Sequence, residues 1–153
     1  MATTREVYLF GVKRHSYQIP NDKILFPATP ESREELSDSI EIAMSQHGIA
    51  GIAEEMSLEA LRKRSDSDES VLRRLASKMC LPYRLCDLNP HAPEDQRELT
   101  WSCELNSFNT FPVLFVLGAD HVESFDRLLT KSGFLPFIIV RDWKAFSDQN
   151  EDI

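Results

Sequence analysis

The chain has 153 residues, with 17 Lys and Arg against 25 Asp and Glu, a formal charge of −8 and three cysteines without a CxxC pair; this suits one domain with one core and reduced thiols. Its 42% hydrophobic and 27% charged residues are those of an ordinary globular protein, which excludes collagen-like, low-complexity and wholly disordered chains. The acidic balance argues against an extended nucleic-acid surface, no apolar run nears the roughly 20 residues of a membrane helix, and the N-terminus MATTREVYLF lacks a signal-peptide layout, so a cytoplasmic protein with no membrane partner is expected.

The run Val7-Tyr8-Leu9-Phe10, rich in β-formers and ended by Gly11, predicts a first strand. Residues 13–30 carry three prolines and no helical period, which predicts a long loop. Ser32 and Glu35 resemble a capping box, and Leu36, Ile40, Ala43 and Met44 recur at helical spacing up to His47-Gly48; a helix follows. Ile49–Ala53 predicts a short buried parallel strand bounded by Glu54-Glu55. Residues 57–79 predict helix with a polar break at 64–70, where Ser65-Asp66-Ser67-Asp68 offers a cap for the second half. Pro82–Cys86 is a weaker strand before Asp87, residues 94–108 a helix around Leu99, Trp101 and Leu105, and Phe111–Leu117 the clearest strand, ended by Gly118. Asp120 opens a helix with Val122, Phe125, Leu128 and Leu129, closed by Ser132-Gly133. Phe134–Val140 is the last strand, and residues 147–153 form an acidic tail expected to be disordered. The alternation predicts one α/β domain over residues 1–146, a small doubly wound fold of five mostly parallel strands with helices on both faces.

In such sheets the ligand crevice lies outside the carboxyl ends of the strands. The residues expected there are Gly11 and His15, Glu54 and Glu55, Asp87, Gly118 with Asp120 and His121, and Arg141 with Asp142. Two imidazoles with nearby carboxylates can hold a divalent metal, or a neutral histidine can act as general base while a carboxylate orients it; the pattern leaves both open. The catalytic candidates are His15, Glu54, Glu55 and His121, a Zn or Mn site would use His15, Glu55 and His121, and Gly11, Asp87, Gly118, Asp120 and Arg141 would surround the substrate. Each has a plainer alternative. Glu54 and Glu55 suit a helix start, and Arg141-Asp142 suits a surface ion pair. Cys86 suits a buried thiol better than a nucleophile paired with His121, and Tyr17, Trp101 and Trp143 suit the core better than ligand stacking. No GxGxxG or Walker sequence supports a dinucleotide or ATP site.

The pattern Gly11-Val-Lys-Arg-His15 after the first strand, Glu54-Glu55 after the second and Gly118-Ala-Asp-His121 after a late apolar strand resembles the erythromycin-esterase, ChaN, TraB and Tiki superfamily. The segments Ile52–Ser57, Leu85–Asp87 and Phe115–Phe125 also look like those of small bacterial proteins. The likeness covers residues 1–18, 49–57 and 111–125. It implies a hydrolase-like site in which His15, Glu54 or Glu55, and His121 take ligand or acid–base roles. The superfamily divides into metal-dependent proteases, metal-free esterases and the haem-associated ChaN. This chain is shorter than most of those enzymes, lacks their inserted helical regions and has three residues between Gly11 and His15, a spacing also found in the esterase branch. Little chain remains for a large cleft, which implies a compact substrate.

The functional expectation is a small cytosolic hydrolase acting on a small molecule, with or without a divalent metal. The alternative is a non-catalytic sensor or accessory protein that holds a nucleotide or other small anion in the same crevice, with the 13–30 loop closing over it. The oligomeric state stays open, a homodimer included.

Overall fold

Five strands pair in parallel throughout the computed structural model, which describes residues 4–21 and 28–148. They are β1 (Glu6–Val12), β2 (Gly51–Glu54), β3 (Tyr83–Leu85), β4 (Val113–Gly118) and β5 (Leu135–Trp143), and their order across the sheet is β3-β2-β4-β1-β5. Between them run α1 (Pro30–His47), α2 (Leu58–Arg64), α3 (Val71–Lys78), α4 (Glu94–Leu105) and α5 (Val122–Lys131).

That order accounts for the layers. Parallel crossovers are right-handed, so connections moving toward the β3 edge place their helices on one face and those moving toward β5 place theirs on the other. The chain moves toward β3 through α1, α2 and α3, and back through α4 and α5. Leu36, Ile40 and Met44 of α1 and Leu72 and Leu75 of α3 accordingly cover Phe10, Ile52, Leu114 and Val116. Trp101 and Leu105 of α4 and Phe125 and Leu129 of α5 cover Val7, Leu9, Val113, Phe115 and Leu117. Alternate residues of β1 and β4 thus serve opposite cores, as the two-residue period of a strand requires. Each large side chain so buried contributes roughly 1.5–3 kcal/mol. Above β4 the chain parts: β1 and β2 leave toward α1 and α2, while β4 leaves toward α5, and a crevice opens between them.

Several boundaries differ from the sequence expectation. Helix α1 is capped by Thr29, whose hydroxyl accepts from Ser32 N at 3.0 Å, because Pro30 is already pre-set for the first helical position. Glu35 is left to accept the backbone N–H of Phe146 at 2.8 Å and the hydroxyl of Ser147. The segment after β5 is therefore docked through residue 148. Ala145 N donates to the Tyr17 hydroxyl at 3.3 Å, Ser32 Oγ donates to Asp148 Oδ1 at 3.1 Å, and Asp148 is buried. This corrects the expected tail for Ser147 and Asp148, while residues 149–153 lie outside the described residues.

The helix expected over 57–79 is two helices, and the second is capped by Ser70 rather than by residues 65–68. Ser65 instead donates to Pro20 O. The long loop begins with a 3-10 turn, His15–Gln18, in which Tyr17 and Gln18 are buried; its residues 22–27, and with them the expected closure, lie outside the described residues. Among the described residues all three cysteines are free, and no helix is long and apolar enough to cross a membrane.

Candidate active site

At the end of β2 two consecutive carboxylates point to opposite sides, and this separates their roles. Glu54 turns into the α3 side, where it is fully buried; Gln18 Nε2 donates to its Oε1 at 2.8 Å, and the hydroxyls of Ser70 and Tyr83 donate to its Oε2. Glu55 turns under the end of β4. The backbone N–H of Gly118 donates to its Oε1 at 2.8 Å, and Arg97 Nη2 donates to its Oε2 at 2.7 Å. A Cβ at Gly118 would stand 3.3 Å from both Glu55 Oε1 and His15 Nε2, so the absent side chain lets the backbone come close.

Both candidate histidines reach Glu55. His15 Nε2 lies 3.5 Å from Oε1 and His121 Nε2 lies 3.7 Å from Oε2. Each ring is anchored through its other nitrogen, His15 Nδ1 by Gln18 Oε1 at 2.7 Å and His121 Nδ1 by Glu98 Oε2 at 3.0 Å. Ser124 Oγ also donates to Glu98 Oε2 at 2.6 Å, and the Trp101 ring meets the His121 ring edge-on, with centroids 5.0 Å apart. Arg97 is held by Asp87 through Nε at 3.1 Å and Nη2 at 3.0 Å, and Trp101 Nε1 donates to the same carboxylate at 3.0 Å.

The electrostatics follow from this arrangement. Burial alone would raise the Glu55 carboxyl, but the hydrogen bond and charge of His15, the Gly118 N–H and the charge of His121 bring it down to about 2. Burial lowers His15, yet the hydrogen bond and charge of Glu55 and the bond to Gln18 outweigh both that and the opposing charge of Arg64, so its pKa is raised. Glu54 is raised by burial in spite of its three donors. Burial also drives the Cys86 thiol far up, which removes it as a nucleophile.

His15, Glu55, Arg64, Asp87 and Arg97 help line a cavity of about 80 Å³, room for two or three water molecules at ~30 Å³ each. Two larger concavities, about 490 Å³ and 580 Å³, run along α1 and contain neither His15, His121 nor Glu55. His15 lines the small cavity and His121 does not; the His15 side chain is 33% exposed, against 10% for His121 and 4% for Glu55.

Other candidates lie elsewhere. Gly11 sits inside β1, where a Cβ would collide with the Arg141 carbonyl and with Val122 Cγ2 at 2.7 Å; its missing side chain permits that close packing. Asp120 is exposed on the turn Ala119–His121. Arg141 is part of β5, which continues to Trp143 through register shifts against β1, and these bulges turn it outward. Its side chain is 65% exposed and pairs with Glu123. Asp87 is at the site, but as the clamp on Arg97.

The metal expectation also fails a chemical test. The two imidazoles approach different oxygens of Glu55, and the Arg97 guanidinium already brings a cation to one of them. Among the described residues no group of three or more His, Cys, Asp or Glu is arranged to hold a metal ion. The set His15, Glu55, His121 does not fit a metal.

Sequence reasoning missed Gln18, Arg64, Arg97 and Glu98. Glu98 carried a signal: with Trp101, Ser102 and Leu105 it falls at i, i+3, i+4 and i+7, which places a carboxylate on the buried stripe of α4. Gln18 carried none. No family model, no curated protein and no solved structure matches the chain.

Proposed function

We propose that this chain is a small hydrolase with a metal-free acid–base centre in which His15 meets the substrate. One observation carries the reading: Glu55 is pinned between two imidazoles whose far nitrogens are each anchored, in the wall of a cavity that, among the described residues, His15 lines with an accessible ring. Glu55, held near 2, is too weak a base to act itself; lying 3.5 Å from His15 Nε2, its charge stabilises the imidazolium that forms when that nitrogen takes a proton. In ester hydrolysis Nε2 would accept a proton from water as the oxygen adds to the carbonyl carbon, then return it to the departing alkoxide. Arg64, which lines the same cavity, supplies positive charge to the developing oxyanion, while Arg97 is committed to Asp87 and Glu55. The motif resemblance to the metal-free esterases supports this, and the free thiols suit a cytoplasmic location.

The test compares wild type with His15→Ala on p-nitrophenyl acetate and p-nitrophenyl phosphate. Turnover of at least one should fall by roughly 10²–10⁴ in the variant, and EDTA should leave the wild-type rate unchanged. Equal rates in both proteins, or no wild-type rate above buffer, would overturn the reading; loss of activity in EDTA would restore the metal.

A further inference from the structure

We infer that Gln18 is a positioning residue: its amide, oriented by the buried carboxylate of Glu54, locks His15 in the Nδ1–H tautomer and so presents Nε2 to the cavity. The inference rests on His15 being the acid–base residue, although the tautomer can be measured without any substrate.

An amide is nearly symmetric in shape, so its neighbours decide which end is oxygen. Here they decide without ambiguity. Gln18 Nε2 donates to Glu54 Oε1 at 2.8 Å and to the Glu55 carbonyl at 3.4 Å, so both N–H groups face acceptors at the end of β2. The flipped amide would set its oxygen against both of those acceptors. Ser70 and Tyr83 occupy the other oxygen of Glu54 and hold the carboxylate still. Gln18 is fully buried, which leaves no water to substitute for a lost bond. Its Oε1 therefore faces His15 Nδ1 at 2.7 Å. A carbonyl oxygen cannot donate, so Nδ1 carries the hydrogen; Nε2 also faces an acceptor, Glu55 Oε1, but at 3.5 Å against 2.7 Å, so in the neutral ring the shorter bond keeps the hydrogen on Nδ1 and the lone pair on Nε2.

This changes the standing of Glu54. As a fully buried group that touches Gln18, Ser70 and Tyr83, it never meets substrate; it sets the ring that does. The relay spans three chain-distant segments, the turn after β1, the end of β2 and the start of α3.

Long-range ¹H–¹⁵N NMR of the His15 ring provides the test. In wild type, at a pH where the ring is neutral, Nδ1 should be protonated and Nε2 bare. In Gln18→Met, of similar length but without an amide, the Nε2–H form should appear, and kcat on p-nitrophenyl acetate should fall at least tenfold with KM unchanged. Glu54→Gln gives a second route: its amide can offer Gln18 a donor, so the Gln18 amide can turn and the Nε2–H form should also appear. A wild-type ring in the Nε2–H form, or an unchanged tautomer in both variants, would overturn the inference. The wild-type spectrum alone decides if either variant fails to fold. A correct tautomer together with equal hydrolysis by wild type and His15→Ala would overturn the proposed function and leave the relay standing.

Discussion

His15 and His121 offer the same ring nitrogen to the same carboxylate from opposite sides, yet the structure holds them in different ways. His121 stands where α5 begins, with a carboxylate on Nδ1, the edge of Trp101 against its ring and 10% of its side chain exposed. His15 comes from a connecting turn, is held by a neutral amide and is 33% exposed. Between them Glu55 belongs to both. The contrast separates scaffold from chemistry: the α4–α5 side, with Arg97, Asp87, Glu98 and Trp101, is a braced polar wall, and the β1 side supplies the group that faces water. Variants on the wall should cost stability first, and variants at the mouth should cost turnover first.

The largest expected effect comes from breaking the wall. Arg97→Leu leaves Asp87 and Glu55 buried without their cation, which should cost about 3–5 kcal/mol in urea denaturation; a loss below about 1 kcal/mol would show that the wall is not what holds Glu55. Next is acid. Glu55 has a lowered folded pKa, near 2 against an ordinary 4.5, so its contribution is fully present above about pH 4.5 and disappears as pH falls through 2. The shift corresponds to about 3 kcal/mol, and Glu55→Gln should flatten that part of the stability curve. His15 works in the opposite direction: its raised pKa contributes stability below pH 6.5 that fades as pH rises through the folded value. Smaller effects on stability belong at the mouth, and the smallest on the outer edge. His15→Ala should cost stability as well as turnover, because it removes the group that chiefly holds Glu55 low, but less than Arg97→Leu, since Arg97 and the Gly118 N–H still bind the carboxylate; Arg141→Ala should lie within about 0.5 kcal/mol with turnover unchanged. A His15 variant that unfolds, or an Arg141 variant that loses turnover, would erase the distinction.

The fold was legible because apolar runs ending in Gly or acid alternate with helical spacing, and parallel sheets need that alternation. Strand ends then pointed to His15, Glu55, Gly118 and His121, which the crevice does bring together. Arg141 misleads because the apolar run of the last strand stops at Val140. The bulges that extend it to Trp143 arise from pairing with β1, which no local pattern announces. Glu54 and Glu55 looked equivalent in sequence, and only the pleat sends one to the Ser70 side and the other under Gly118. Gln18 and Arg97 were silent for a different reason. Their meaning lies in partners 36 and 42 residues away, and a lone glutamine or arginine does not declare which carboxylate it will meet.

The docking of the last described residues onto the turn that carries His15 has a consequence for synthesis. Tyr17 waits for the backbone of Ala145, 128 positions later. At about 5–20 residues per second that is a delay of roughly 6 to 26 s, during which the ribosome has already delivered the imidazole but not the segment that roofs its turn. The nascent chain thus carries every residue of the relay well before that turn is fixed, and a cut just ahead of Ala145 would loosen the site without removing one of its members.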